Sequence, residues 1–417
     1  MNNKRIILGL FLTYFVFAIL LNSVGTVILQ VINNYDVSKS SASILEAIKD
    51  LSIAAVSFFV ASLLPRLGFK NAMLTGLAIV TAGCVMMPLV PSFATTELLF
   101  LCIGVAFALV KVSVYSSVGL VTDDPRHHAS LLNSIEGFFM VGVLSGSWVF
   151  GFFIDSSDPR SPSWLQTYWV LAALCLVVFL LLLSTPFDEG PAAARGTVKD
   201  DFSAMLKLVV KPLVCVYVIS AFLFVLIEQG IGTWLPTFNN EILKLPTAMS
   251  VQVTSIFAAS AALGRLGAGV IMRRVHWYPV VNCCVLGVGL LVVVSLPLAD
   301  NVVANPYVSW SNAPIAAYIF PLLGLFLAPI YPAINSVMLS SLPKQQHAAM
   351  TGLLVIFSAL GGSTGSRITA VVFEKFDGQF AFYLSLVPLA IVLVTLYFFK
   401  RGVDGRPAGM PAQAAAG

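Results

Sequence analysis

Between residues 6 and 399 the chain repeats one pattern, a long apolar run followed by a short polar connection. A helix crosses the hydrocarbon core of a bilayer with about 20 predominantly apolar residues. By that measure the runs 6–32, 43–64, 71–91, 97–121, 129–154, 164–185, 212–237, 250–271, 278–298, 314–341, 348–373 and 380–399 are twelve spans. In lipid every peptide group must be satisfied within the segment or across a closed barrel, and runs of this length fit helices. The expected fold class is therefore an all-α membrane protein with 12 transmembrane helices. Composition agrees, since 10% of the residues are charged against about 25% in soluble domains.

The connections carry turn signals such as "DDPRHH", "DSSDPRSPS" and "FDGQ". The longest polar stretch, 185–207, falls between spans six and seven. With the N-terminus inside, fifteen basic residues fall in cytoplasmic segments and four (Lys39, Arg160, Lys244, Lys375) outside. The positive-inside rule then places both termini in the cytoplasm. The net charge of +4 comes from short scattered clusters, which suits topology and speaks against nucleic acid as a partner. The start of the chain reads as a first membrane helix, since it is too long for a removable signal and lacks a small-residue cleavage site. The six cysteines lie in apolar runs without CxxC spacing, so they read as small core residues. No metal or cofactor motif is present.

The two halves match in register. In "HASLLNSIEGFFMVGVLSG" (128–146) and "HAAMTGLLVIFSALGGSTG" (347–365), His128 stands over His347, Gly142 over Gly361 and Gly146 over Gly365. Likewise "VGTVIL" (24–29) stands over "IGTWLP" (231–236), and Arg66 over Arg273. A parallel duplication of six spans is one of the repeat architectures of secondary transporters. The expected organisation is a six-helix bundle over 1–187, a cytoplasmic linker over 188–207, a second six-helix bundle over 208–400 and a cytoplasmic tail over 401–417.

With these features the chain resembles the major facilitator superfamily over nearly its whole length. The loop after span two, "ASLLPRLGFKNAMLTG" (61–76), keeps Arg66, Gly68 and Lys70 of the hallmark motif but has Pro65 where an acid is usual. The second half offers "GRLGAGVIMRR" (264–274), a common form. The first loop and "SLLNSIEGFFMVG" (130–142) look most like the fucose-permease branch of sugar:proton symporters. The acids of that branch in spans one and four are absent here, where Asn22, Ser23 and Lys111 stand instead. The resemblance implies two bundles rocking about a central cavity lined by spans one, four, seven and ten.

Ionisable groups at bilayer depth are functional candidates by default. Lys111 lies about 16 Å from the cytoplasmic end of its span, near the midplane of a core about 30 Å thick. Asp50 and Glu228 lie about 22 and 24 Å in, and Glu136 and Arg265 about 12 Å. Glu46 and Arg367 come out at about 28 Å, at the outer rim, where snorkelling to water is easy. Glu46 and Asp50, four apart with Lys49 beside them, share one helix face, and like charges so placed repel. A carboxyl that takes and releases a proton is what a proton-coupled carrier needs. Asp50, Glu46, Glu136 and Glu228 are therefore the proton-coupling candidates, set against capping or structural roles for each. Glu136 has the alternative of bonding the span-two loop or Arg66 at a cytoplasmic gate. Arg66 and Arg265 are expected at that gate, and Arg367 as an outer interfacial anchor.

The substrate-binding candidates are Lys111, Asn22, Gln229, Tyr331 and Asn335. Asn22 and Gln229 are repeat equivalents, as are Lys111 and Tyr331. Gly230, Gly232 and Pro236 can loosen or kink span seven, and Pro329 and Pro332 can bend span ten. Three roles remain open for Lys111: counter-ion of an anionic substrate, switching partner of Asp50, Glu136 or Glu228, or a fixed ion pair. Enzyme motifs such as GxxxxGK[ST], HExxH and GxSxG with partners are absent. The expected activity is secondary active transport of a small polar or anionic organic solute, proton-coupled, by a monomer in a bacterial inner membrane. The alternative is a proton-driven multidrug or metabolite efflux pump.

Overall fold

The structure, a computed structural model, describes residues 2–121, 125–187, 205, 207–300, 302–305, 307–343 and 346–404, without the side chains of 2, 3, 58, 60–66, 125–129 and 348. Most of the expected linker 188–207, most of the tail 401–417, and the side chains of Arg66, His127 and His128 lie outside the described residues.

All twelve expected spans are helical. Span one is a pair of helices, Asn2–Asn22 and Val24–Tyr35, and span two is Ile44–Leu67 after a short helix Lys39–Ala42. Spans three to six are Phe69–Leu89, Phe93–Val121, Pro125–Phe153 and Gln166–Ser184. Span seven is Pro212–Glu241, and span eight is Thr247–Gln252 with Thr254–Ile271. Spans nine, eleven and twelve are Trp277–Ser295, His347–Lys375 and Gly378–Tyr383 with Leu386–Asp404. Eleven spans among the described residues are long and apolar enough to cross a membrane. The other is span two, which carries Glu46, Lys49 and Asp50.

Proline acts unequally. Span seven runs through Pro236 as one 30-residue helix, so the expected kink breaks no helical turn there. Span ten is broken into Ala316–Ile319, Phe320–Leu322, Leu323–Leu327 and Ile330–Ser340, with Pro321 and Pro329 at the breaks. A proline removes a ladder hydrogen bond and crowds the preceding turn, and span ten has several close together.

The repeat is visible in the packing. Span five packs on span one, and span eleven on span seven. A Cβ on Gly142 would stand 2.6 Å from the Phe15 carbonyl oxygen, and one on Gly361 would stand 2.4 Å from that of Phe222. These glycines are register equivalents and do the same work, letting two backbones touch. Closer still is Gly365, where a Cβ would meet the Leu226 carbonyl oxygen at 2.1 Å. Gly365→Ala is expected to cost about 1–3 kcal/mol by overpacking. Gly137→Ala, with nothing within 4 Å of the added carbon, should cost nothing and gain up to about 1 kcal/mol of helix propensity. Thermal melting of the two purified variants checks the contrast.

Outside the core, Leu176, Val177, Leu180 and Leu183 of span six and Leu286, Leu290 and Val293 of span nine are exposed. Such faces are stable against lipid tails, where water would penalise them. The cysteines are free, and Cys84 and Cys175 are buried, but Cys215 and Cys283 are exposed. The reading of all six as core residues is corrected to that extent. An apolar run on a membrane helix has a lipid face as well as a packed one.

Candidate functional site

The bundles meet where span one touches span seven, span two touches span eleven, and span five touches span eight. The polar contacts between them gather at the end opposite the termini, called the far end here. There the short helix Lys39–Ala42 is clasped by the second bundle. Lys39 Nζ lies 2.9 Å from Glu241 Oε2. The Ser40 N–H donates to Glu374 Oε2 at 2.7 Å, and Arg367 donates to the Ser40 carbonyl and to Ser43 Oγ. Ser40 is thus gripped at both backbone groups by an acid and a base of span eleven. Arg367, expected as an interfacial anchor, ties one bundle to the other. Close by, the Ala248 N–H donates to Ser156 Oγ at 3.2 Å.

Below this clasp lies a buried polar cluster. Glu46 accepts from Lys49 Nζ at 2.7 Å, from Gln229 Nε2 at 3.1 Å and from Thr233 Oγ1 at 2.8 Å. Lys49 Nζ also stands 3.4 Å from Asp50 Oδ1 and donates to the Leu21 carbonyl at 3.5 Å, beside the break in span one. Glu46 is 0% exposed, so its expected place at a water-accessible rim is overturned. Helical rise gives depth along one helix, but spans seven and eleven and the short helix close over this position. The expected repulsion between Glu46 and Asp50 is likewise answered by Lys49, whose ammonium serves both. That pairing could have been seen in "EAIKD", where Lys49 is i+3 from Glu46, a distance at which helical side chains meet.

From this cluster a cavity of about 720 Å³ extends between the bundles toward Met205 and Ala349, near the termini. Its wall includes Asp50, Lys111, Tyr115, Gln229, Tyr331 and Ser358. Three of the five expected substrate-binding residues, Lys111, Gln229 and Tyr331, are thus brought together. Asn22 and Asn335 are not among the lining residues. Asn22 donates to its own Ala18 carbonyl at 2.8 Å, and Asn335 accepts from Tyr217 Oη at 2.5 Å. Tyr331 hydrogen-bonds Ser358 Oγ at 2.7 Å and stacks on Phe224, with ring centroids 5.8 Å apart.

Lys111 is exposed to the cavity, with its Nζ 5.8 Å from the centroid of the Phe107 ring. Among the described residues no carboxylate lies within 4 Å of it. Glu136 accepts a short hydrogen bond from Tyr115, one helical turn beyond Lys111. Its expected bond to Arg66 falls on a side chain outside the described residues. Glu228 does not line the cavity. Arg265 Nη1 donates to Met140 Sδ at 3.7 Å, across the bundle interface.

Sequence reasoning passed over Lys49, Thr233, Tyr115, Ser358, Glu241 and Glu374 as site residues. Thr233, Ser358 and Tyr115 are ordinary helix residues without a neighbour to single them out. Glu241 and Glu374 fall at helix ends, where a solvated acid is unremarkable.

The architecture is that of a two-bundle carrier, and the comparisons give the family. The family model described as Major Facilitator Superfamily matches residues 8–366, and the chain belongs to that family. It is a multi-pass integral membrane transporter. Among curated proteins it is similar to a protein TsgA homolog of Buchnera aphidicola subsp. Acyrthosiphon pisum (strain Tuc7), 21% identical over 282 residues. That match covers 66% of each chain, just under two thirds of the relative's length. A bacterial homolog to the human lysosomal transporter Spinster, inward-facing and unoccupied, overlays with a TM-score of 0.77 at 15% identity, covering 98% of this chain and 99% of that one. The nucleoside transporter NupG overlays with a TM-score of 0.72 at 15% identity, covering 97% of this chain and 100% of that one.

Proposed function

We propose that this transporter moves a small polar or anionic organic solute by alternating access, with the proton as coupling ion. The observation that carries the reading is the contrast between the two lysines at depth. Lys49 is engaged by Glu46 and Asp50, whereas Lys111 faces the cavity with no carboxylate within 4 Å among the described residues. A charge inside a membrane protein is costly unless paired. An ammonium left open in the cavity wall is explained by an anion that arrives there. Tyr331, Ser358 and Gln229 supply hydroxyl and amide groups for the rest of a polar solute. The far end is closed and the cavity reaches toward the termini, which is the inward-facing state if the basic loops face the cytoplasm.

Asp50 is the proton carrier in this reading. It reaches the cavity, its side chain is 12% exposed, and its hold on Lys49 is the looser of the two. Asp50→Asn is expected to abolish solute accumulation driven by a pH gradient in proteoliposomes while exchange of solute down its own gradient continues. Loss of both would make Asp50 a binding or structural residue.

The solute class is tested by thermal melting of the purified protein with neutral sugars, sugar acids, carboxylates, amino acids and apolar cations. A solute that binds the folded state raises the melting temperature by linkage. Stabilisation by anions alone supports the reading, and stabilisation by apolar cations alone sinks it. The second outcome favours the efflux alternative, for which the apolar part of the wall (Val112, Val225, Val355, Ile356) is the supporting observation.

A further inference from the structure

We infer that Gln229 is the latch of the far end, a bond between the bundles that can be undone from the cavity side. The inference rests on the alternating-access reading but on no particular solute. Gln229 belongs to span seven, lines the cavity, and donates to Glu46 of span two. Its position therefore faces both ways: a group entering the cavity meets the same side chain that holds the bundles together.

The bonding of Glu46 makes this contact easy to give up. Its Oε1 is shared by Lys49 and Gln229, at 2.7 and 3.1 Å, while Oε2 takes Thr233. Removing a partner is expensive mainly when a buried polar atom is left unsatisfied. Here Oε1 keeps the Lys49 ammonium, on the same helix, whether or not the amide stays. Thr233 is the fixed half of the contact. It is buried, and its backbone lies against Gly25, where a Cβ would stand 2.3 Å from the Thr233 carbonyl oxygen. Gln229 lies one turn nearer the cavity, with Gly362 of span eleven against its Cγ.

The outer clasp cannot serve as the latch in the same way. Lys39 and Glu241 are 19% and 35% exposed, and water competes for such pairs. They keep the far end aligned, out of reach of the cavity.

The charged groups around Gln229 define a test. Glu46, Lys49 and Asp50 face it from span two, Glu228 neighbours it on span seven with Arg265 behind, and span eleven presents Gly362. A protonated glutamic acid at 229 can donate to Glu46 as the amide does, whereas an ionised one repels it. Two amides report closure directly, because Ser40 N–H and Ala248 N–H are themselves bonded across the interface. Hydrogen exchange of peptides containing them is measured for wild type, Gln229→Leu and Gln229→Glu at about pH 5 and about pH 9, corrected for intrinsic rates. The wild type should stay protected at both. Gln229→Leu should exchange about tenfold faster at both, and Gln229→Glu only at the higher pH. Peptides from spans three and six, inside one bundle, should be unchanged throughout. The inference is overturned if both variants stay as protected as wild type, if Gln229→Glu follows Gln229→Leu at both pH values, or if exchange rises equally within the bundle. No solute enters the measurement, so its outcome does not depend on the substrate class.

Discussion

Lys111→Ala is expected to cut by about half or more the stabilisation that an anionic solute confers on the wild type. A ligand at one hundred times its dissociation constant stabilises by about 2.7 kcal/mol. A hydrogen bond to a charged group contributes about 1.5–3 kcal/mol, which is roughly a tenfold to hundredfold change in affinity. At the same solute concentration the variant would therefore keep from a few tenths to about 1.4 kcal/mol of that stabilisation. Lys111→Arg, which keeps the charge, should retain part of the response. The unliganded Lys111→Ala protein should melt near the wild type, since no ion pair within 4 Å among the described residues is lost. Equal stabilisation of wild type and Lys111→Ala by a neutral solute would remove the counter-ion role and turn attention to the Glu136–Tyr115 pair one turn away.

The second large effect is expected at Glu46. Removing one partner of a buried ion pair costs about 3–5 kcal/mol, because the other charge is left behind. Glu46→Ala strands Lys49, Gln229 and Thr233 together, and the cost should fall at the lower end because Asp50 remains 3.4 Å from the ammonium. Adding Lys49→Met should recover part of the loss by removing the half-paired ammonium, while Asp50 keeps its opening onto the cavity. The comparison is thermal melting of wild type, single and double variants. A single variant that melts like the wild type, or a double variant worse than the single, would contradict the buried pairing. The two lysines thus make opposite predictions: disturbing Lys49's partner hurts the fold, while deleting Lys111 hurts ligand response.

Much of this molecule can be read without coordinates. The twelve spans follow from run lengths, and the duplication from glycines in register. Gly142 and Gly361 then turn out to seat equivalent helix pairs. Lys111, singled out as a lone charge within an apolar run, does line the cavity. The charge pairings do not follow in the same way. Counting puts Glu46 at an exposed rim, and it lies buried. Repeat register matches Asn22 with Gln229, and the two make unrelated bonds. Glu136, a proton-coupling candidate with a gate contact as its alternative, takes the Tyr115 hydroxyl.

The division has a physical cause. Length, hydropathy and repeat register are properties of a single helix in lipid, where the bilayer imposes one thickness and demands internal hydrogen bonding. These the amino-acid sequence determined alone. The burial of a charge, its partner, and whether it faces a cavity depend on which helices come together and on their rotation. Those are set by packing between small residues far apart in the chain. Only the tertiary structure could decide that Lys49 is engaged by its neighbours and Lys111 left open.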